Sequence, residues 1–476
     1  MSEAEIGRLP VSQKLGWSVG AAGVSILMNG VTGVILFYLV SILKMDPALA
    51  GALIFAFKLV DVVTDPLMGI ISDRTRSKMG RRRPYLLIGT FISTISLLVL
   101  FGVPEFDSEL ATALYVSLGL LLYTLGYTIF NVPYITMPAE MTDGYHERSS
   151  IHAYRVVFVS TGSTAATVIG LILLEQFGQN RETYFLVAAI KAALVFATML
   201  TCFLATRGVR TVARTEAIPR FWKQATTLLE NRYFLLVISA KMLQLLGIFS
   251  TQAALYFFVL SGLQLNESAL IAFFLSTTAA SLLFSPLLVH ISKRLGKRNT
   301  YIIGGLVYAA VALSWYLAEA GEPLWLIMLR GFLIGLPFAG NILLARSMLT
   351  DTIDYDYRRT GIRREGIYTA MYSFVEKFAG AFGPLLIGVL LAQAGFDQDL
   401  APKEAQRPEV VAAMLLGIGV IPALTSVLAA VVISFNKLDQ KTLEATRPIG
   451  ETMNEDEPGV SAEIGKELGG ENPSTA

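Results

Sequence analysis

The chain has 476 residues, 54% hydrophobic and only 16% charged, well short of the roughly one quarter charged that is usual in soluble domains. Its formal net charge of +1 gives no reason to expect a nucleic-acid partner. The single Cys202 rules out an intramolecular disulfide, and the three histidines (His146, His152 and His290) form no metal-ligand cluster with it.

Apolar runs of about 20 residues, enough to cross a bilayer, recur along the chain. They predict an all-α membrane protein with spans at 15–43, 47–72, 85–104, 109–138, 150–176, 183–206, 233–262, 267–292, 300–319, 323–350, 366–394 and 409–436. A polar, basic stretch with Pro219 divides the spans six and six, and Phe221 to Leu229 within it suits either a short interfacial helix or a solvated linker with a helical turn. The expected organisation is an N-terminus at 1–14, a six-helix bundle at 15–206, a linker at 207–232, a second bundle at 233–436 and a disordered polar tail at 437–476. Residues 1–14 lack the pattern of a cleaved signal peptide.

Basic residues cluster in alternate connections: Arg74, Arg76, Lys78 and Arg81–Arg83; Arg207 to Lys223; Lys293 to Arg298; and Arg358 to Arg364. The positive-inside rule then puts these loops and both termini in the cytoplasm. Gly80-Arg-Arg-Arg-Pro-Tyr85 after the second span is echoed by Gly296-Lys-Arg-Asn-Thr-Tyr301 after the eighth. This placement suggests two pseudo-symmetric halves with a site between them.

The second span holds Asp61 and Asp65, one turn apart on one helix face, with Lys58 three residues earlier. A carboxylate at the bilayer centre costs at least about 2.5 kcal/mol, so the pair marks a functional site. Pro66 frees the carbonyl of Val62, and Thr64 adds a hydroxyl. These hard oxygens suit Na⁺, and either acid can instead carry a proton. A static Lys58–aspartate pair would leave the second acid unexplained.

In the fourth span Tyr127, Thr128 and Asn131 lie just before Pro133, suited to line a cavity or to bond between helices. Arg155 in the fifth span can face a cavity or snorkel outward. Lys377 is too deep in the eleventh span to snorkel and needs a carboxylate or an anionic ligand. Lys191, Lys241, Gln244, Gln252, Arg330, Asn341 and Arg346 are expected to find structural partners, with Lys241 and Asn341 alternatively reaching a cavity. Asp73, Arg81, Glu140, Arg148, Asp351, Asp354, Arg363 and Glu365 cluster at the basic face, as a gate between the halves or as a solvated surface. There is no P-loop, His-Glu-x-x-His or Gly-x-Ser-x-Gly; no enzyme activity or cofactor is expected, and a coupling ion would supply the energy.

The chain resembles the glycoside–pentoside–hexuronide:cation symporters, the melibiose-permease-like branch of the major facilitator superfamily. The likeness runs from Lys14 to about Phe435. It is carried by Asp61-Val-Val-Thr-Asp65-Pro66 with Gly69, Asp73 and Gly80-Arg-Arg-Arg-Pro84; by Pro133-Tyr134 with Glu140-Met-Thr-Asp143 and Glu147-Arg148; and by Asp351-Thr-Ile-Asp354-Tyr355 with Arg364-Glu365 and Lys377. It implies a cation site at Asp61, Asp65, Thr64 and Thr128, with Na⁺ or H⁺ as coupling ion. It implies a substrate site at Lys58, Ser25, Tyr127, Asn131, Ile135, Arg155 and Lys377.

The chain also departs from melibiose permease. Thr64 replaces an asparagine among the cation ligands, Ser25 and Asn131 replace two sugar-gripping carboxylates, and Ile135 replaces a stacking tryptophan. With Lys58, Arg155 and Lys377 outnumbering the two acids, the expected substrate is an anionic sugar such as a uronide, with a less polar glycoside as the other sugar reading. A monomer in a bacterial inner membrane is expected. Its lineage also contains lysophospholipid symporters, so an amphiphile is the alternative cargo, and a transport-dead sensor a remoter one.

Overall fold

A computed structural model describes residues 9–142, 145–208, 226–362, 364–439, 442–443 and 446. Most of the predicted linker and tail lies outside these residues; of the stretch read as an interfacial helix, only a 3₁₀ segment at Thr226–Glu230 lies within them. The described residues contain twelve helices long and apolar enough to span a membrane and no strand. They are α1 (Val11–Ile42), α2 (Pro47–Arg74), α3 (Arg83–Phe101), α4 (Glu109–Thr136), α5 (Ser150–Phe177), α6 (Arg181–Ala205), α7 (Arg232–Gly262), α8 (Glu267–Leu295), α9 (Lys297–Leu317), α10 (Leu324–Thr360), α11 (Glu365–Gln393) and α12 (Pro408–Ser434).

Local chemistry sets the helix starts. Asp46 caps α2 by accepting from the Leu49 N–H at 2.9 Å, with Pro47 in the first turn. Asn180 and Asn231 cap α6 and α7 in the same way. Small residues then let helices approach closely: a Cβ at Gly89 would fall 2.7 Å from the Phe130 nitrogen, and one at Gly126 2.7 Å from that of Ser93. These contacts lock α3 against α4.

The halves repeat in backbone detail. α1 and α7 each end in a π-turn, Tyr38–Ile42 and Phe258–Gly262, with matching bonds from Leu43 N to Tyr38 O and from Leu263 N to Phe258 O. Two residues on from each turn, Lys44 and Gln264 hold φ of 61° and 54°, the only non-glycine residues with positive φ among those described. Pro66 and Pro286 lie at equivalent depths in α2 and α8. So many matching irregularities support the repeat suggested by the basic loops.

Within the first half, α1 packs on α5 and α6, and α3 on α4 and α6; within the second, α7 packs on α11 and α12, and α10 on α8 and α9. The halves meet chiefly through α2 against α11 and α5 against α8. Away from the basic loops the joint is tight. A Cβ at Gly51 would fall 2.8 Å from the Pro384 oxygen, Phe37 meets Phe257 edge-on at 5.0 Å, and Gln179 donates to Glu267 at 2.8 Å. Towards the basic loops exposure rises: Thr369, Ala370, Ser373 and Phe374 of α11 are exposed, whereas none of Val375–Leu391 is. Val63, Pro66, Leu67, Ile70 and Ile71 open the facing helix in the same way. The two halves therefore pack less tightly towards the basic face than away from it.

Candidate functional site: an acid pair bridged from the opposite half

The predicted site is built on α2, α4 and α11. Asp61 is 2% exposed, and Asp65 follows one turn later. The Thr128 hydroxyl from α4 lies 3.1 Å from Asp61 Oδ1 and 2.8 Å from Asp65 Oδ1. One proton serves only one of these contacts at a time, so Thr128 ties the two acids into a single unit. Thr64 donates to the Val60 oxygen at 3.0 Å, with its hydroxyl 3.4 Å from that of Thr128. Lys377 crosses from the other half to pair with Asp65, and its Nζ lies 3.2 Å from the Asp61 backbone oxygen. The ammonium thus sits against a carboxylate and a carbonyl, two of the oxygens a small cation would use.

Lys58 behaves differently from a static partner of the aspartates. No carboxylate lies within ion-pair distance of it among the described residues, and its Nζ stands 5.9 Å from the centre of the Tyr123 ring. Three residues of helix place Lys58 on a neighbouring strip of α2, where its ammonium stands near the Tyr123 ring without an ion pair to either acid.

The remaining predicted substrate residues make fewer bonds among themselves. Asn131 Nδ2 donates to the Tyr127 hydroxyl at 3.2 Å, while its buried Oδ1 has no protein partner. Ser25 returns its proton to the Ala22 oxygen at 2.9 Å. Ile135 is 44% exposed. Arg155 is half-buried, with no ion pair among the described residues and an unpartnered Nε.

At the basic face the acids pair within halves. Glu140 takes both Arg81 and Arg82, the latter at 2.5 Å, and Arg82 also reaches Asp73 at 3.3 Å. Burial lowers the Arg82 guanidinium from its ordinary value, and Glu140 and Asp73 oppose that shift. In the other half Asp351 pairs with Lys297 at 2.6 Å and Asp354 with Arg358 at 3.1 Å, while Glu365 is exposed. Arg363 and the Arg148 side chain lie outside the described residues. The buried acid here is Asp356, 1% exposed, with Arg364 at 3.7 Å and Arg359 at 3.9 Å. Sequence reading passed over it because Asp351 and Asp354 crowd the same helix.

Comparison with known proteins agrees with this architecture. The family model for MFS/sugar transport proteins matches residues 16–440. The inner membrane symporter YicJ of Escherichia coli strain K12 is 25% identical over 429 residues, covering 89% of this chain and 91% of the relative. The glucuronide carrier protein homolog of the same strain is 25% identical over 415 residues, covering 86% and 88%. The crystal structure of a point mutant of the nucleoside transporter NupG superposes with a TM-score of 0.65 at 16% identity, covering 89% of this chain and all of NupG, which speaks to fold alone. The chain belongs to the MFS/sugar transport protein family and is a membrane-integral secondary transporter, not an enzyme.

Proposed function

We propose that the protein couples entry of Na⁺ or H⁺ to uptake of a glycoside, hexuronide or related sugar by alternating access. The observation that carries this reading is the junction of Asp61, Asp65 and Thr128 with Lys377, which joins a cation-type oxygen set in one half to a cation in the other. A cation entering this set displaces Lys377 from Asp65. The freed ammonium then turns to the predicted substrate site, where Arg155 already lacks a carboxylate partner, and both favour an anionic sugar. Cation and sugar thereby promote each other's binding, with equal coupling in both directions. The Asn131 Oδ1 is available to accept from a sugar hydroxyl. One named relative, a glucuronide carrier homolog, supports the cargo class, and another, a symporter, supports the coupled mode of transport.

The basic loops mark the cytoplasmic side by the positive-inside rule, with both termini there. On this orientation the less tightly packed side faces inward, and the within-half pairs at Glu140 and Asp351 belong to the open gate. The protein works as a monomer, since each half supplies part of one site. The test is uptake of a glucuronide and a neutral glycoside into proteoliposomes under an imposed Na⁺ or pH gradient. Accumulation under one gradient, lost in Asp65→Asn, supports the reading; equal uptake with and without either gradient overturns it.

A further inference from the structure

Lys191 lies near the middle of α6 and is 8% exposed. Sequence reading expected it to find a structural bond, yet among the described residues it has neither a hydrogen bond nor an ion pair. The comparable buried cations of the second half are paired: Lys241 has Glu376 at 3.8 Å, and Arg330 has Glu322. An unpaired ammonium at this depth is costly.

The space beside Lys191 contains no carboxylate. It is lined by Asn29 and Gly30 of α1, Thr167 and Gly170 of α5, Tyr184 of α6 and Tyr256 of α7. Two glycines make the room: a Cβ at Gly30 would stand 3.2 Å from the Lys191 Cδ, and one at Gly170 3.3 Å from its Nζ. Most donors here are already committed. Asn29 donates to the Ser25 oxygen, Thr167 to that of Ser163, and Tyr184 to Gln179 at 2.7 Å. The Tyr256 hydroxyl has no partner among the described residues. Two free donors, one of them charged, complement an anion. The space is the size of one water or one acidic group, too small for a sugar ring. One wall of it is Asn29, which is exposed and follows Met28, whose sulfur lies 3.9 Å from the Tyr127 hydroxyl of the predicted substrate site.

We propose that Lys191 and the Tyr256 hydroxyl form a binding site for a small anion, either the acidic group of a sugar cargo or a free inorganic ion such as chloride. The cargo arm rests on the transport reading above; the site itself does not.

The test is the thermal shift of the purified full chain titrated with choline chloride, choline glucuronate or glucose in low-chloride buffer. Wild type is expected to be stabilised by at least one of the two anions and not by glucose. Lys191→Gln should weaken that anion's binding about tenfold or more, the scale of a lost charge-assisted bond. A shift with chloride alone assigns a free ion, and a shift with glucuronate alone assigns the acidic group of the cargo. Competition between the two assigns one shared site. No shift with either anion, or a shift undiminished in Lys191→Gln, overturns the proposal. If that variant does not fold, Tyr256→Phe carries the test: a several-fold weaker anion supports the site, and unchanged affinity overturns it. Each titration is repeated with Na⁺ in place of choline, so cargo binding that needs the coupling cation is read separately from binding at the site itself.

Discussion

Lys377 of α11 pairs with the Asp65 carboxylate of α2 and lies 3.2 Å from the Asp61 backbone oxygen, so one side chain links the two halves through the acid pair. Its ammonium competes with any cation for those oxygens. Lys377→Ala should therefore raise apparent Na⁺ or H⁺ affinity about tenfold, since the competitor is gone, and abolish the effect of cation on sugar binding. Cation titrations with and without sugar check this. Unchanged cation affinity together with intact coupling would count against the displacement scheme.

Asp61→Asn and Asp65→Asn should each reduce gradient-driven accumulation to the equilibrium level while leaving sugar exchange measurable. The amide keeps the size of the carboxylate and removes its charge. Counterflow and active uptake measured on the same proteoliposomes separate the two effects. Normal accumulation in both variants would exclude the acid pair from coupling.

Arg155→Gln should raise KM about tenfold for an acidic sugar and change it little for a neutral one. The scale is that of one charge-assisted hydrogen bond. Competitive uptake of a uronide and its neutral counterpart reads the difference directly. An equal loss for both sugars would give Arg155 a packing role instead.

Closure opposite the basic face depends on Gly51 and Gly388. A Cβ at Gly51 meets the Pro384 oxygen at 2.8 Å, and one at Gly388 falls still closer to the Pro47 oxygen. Gly51→Leu should hold that face open and cut transport about tenfold or more. Cys202 is buried, so a single cysteine introduced at Phe37 would report access by thiol labelling. Labelling no faster than in the Gly51 parent would show that the joint closes around the larger side chain.

Glu140 serves two guanidinium groups within the first half. Glu140→Gln leaves both short of charge and should destabilise the protein by about 1–3 kcal/mol. Thermal unfolding tests the loss, and the ion-to-sugar ratio should stay the same because no sugar or cation contact is removed.

The twelve helices were legible because apolar runs of membrane length leave few alternatives, and Asp61, Asp65 and Lys377 because intramembrane charge stands out against them. Partner choice was less legible. Lys58 and Lys377 are both within a plausible reach of the acids by sequence, but only the crossing of α2 and α11 brings Lys377 to Asp65, while Lys58 extends to Tyr123. The break in α1 at Thr32–Val34, with Gly33 at φ +91°, was missed inside an unbroken apolar run. Its one signal was Gly30 and Gly33 close together. Lys191 was expected to be satisfied, because sequence shows that a charge is buried but not whether a counter-charge faces it.

The most direct measurement is the thermal shift of wild type and Asp65→Asn with Na⁺, across pH, with and without a panel of uronides and glycosides. Coupling through the acid pair predicts a Na⁺-induced or pH-dependent shift in wild type that deepens with the cargo and disappears in Asp65→Asn. A cation effect of equal size in the variant, or none in the wild type at any pH, would contradict it.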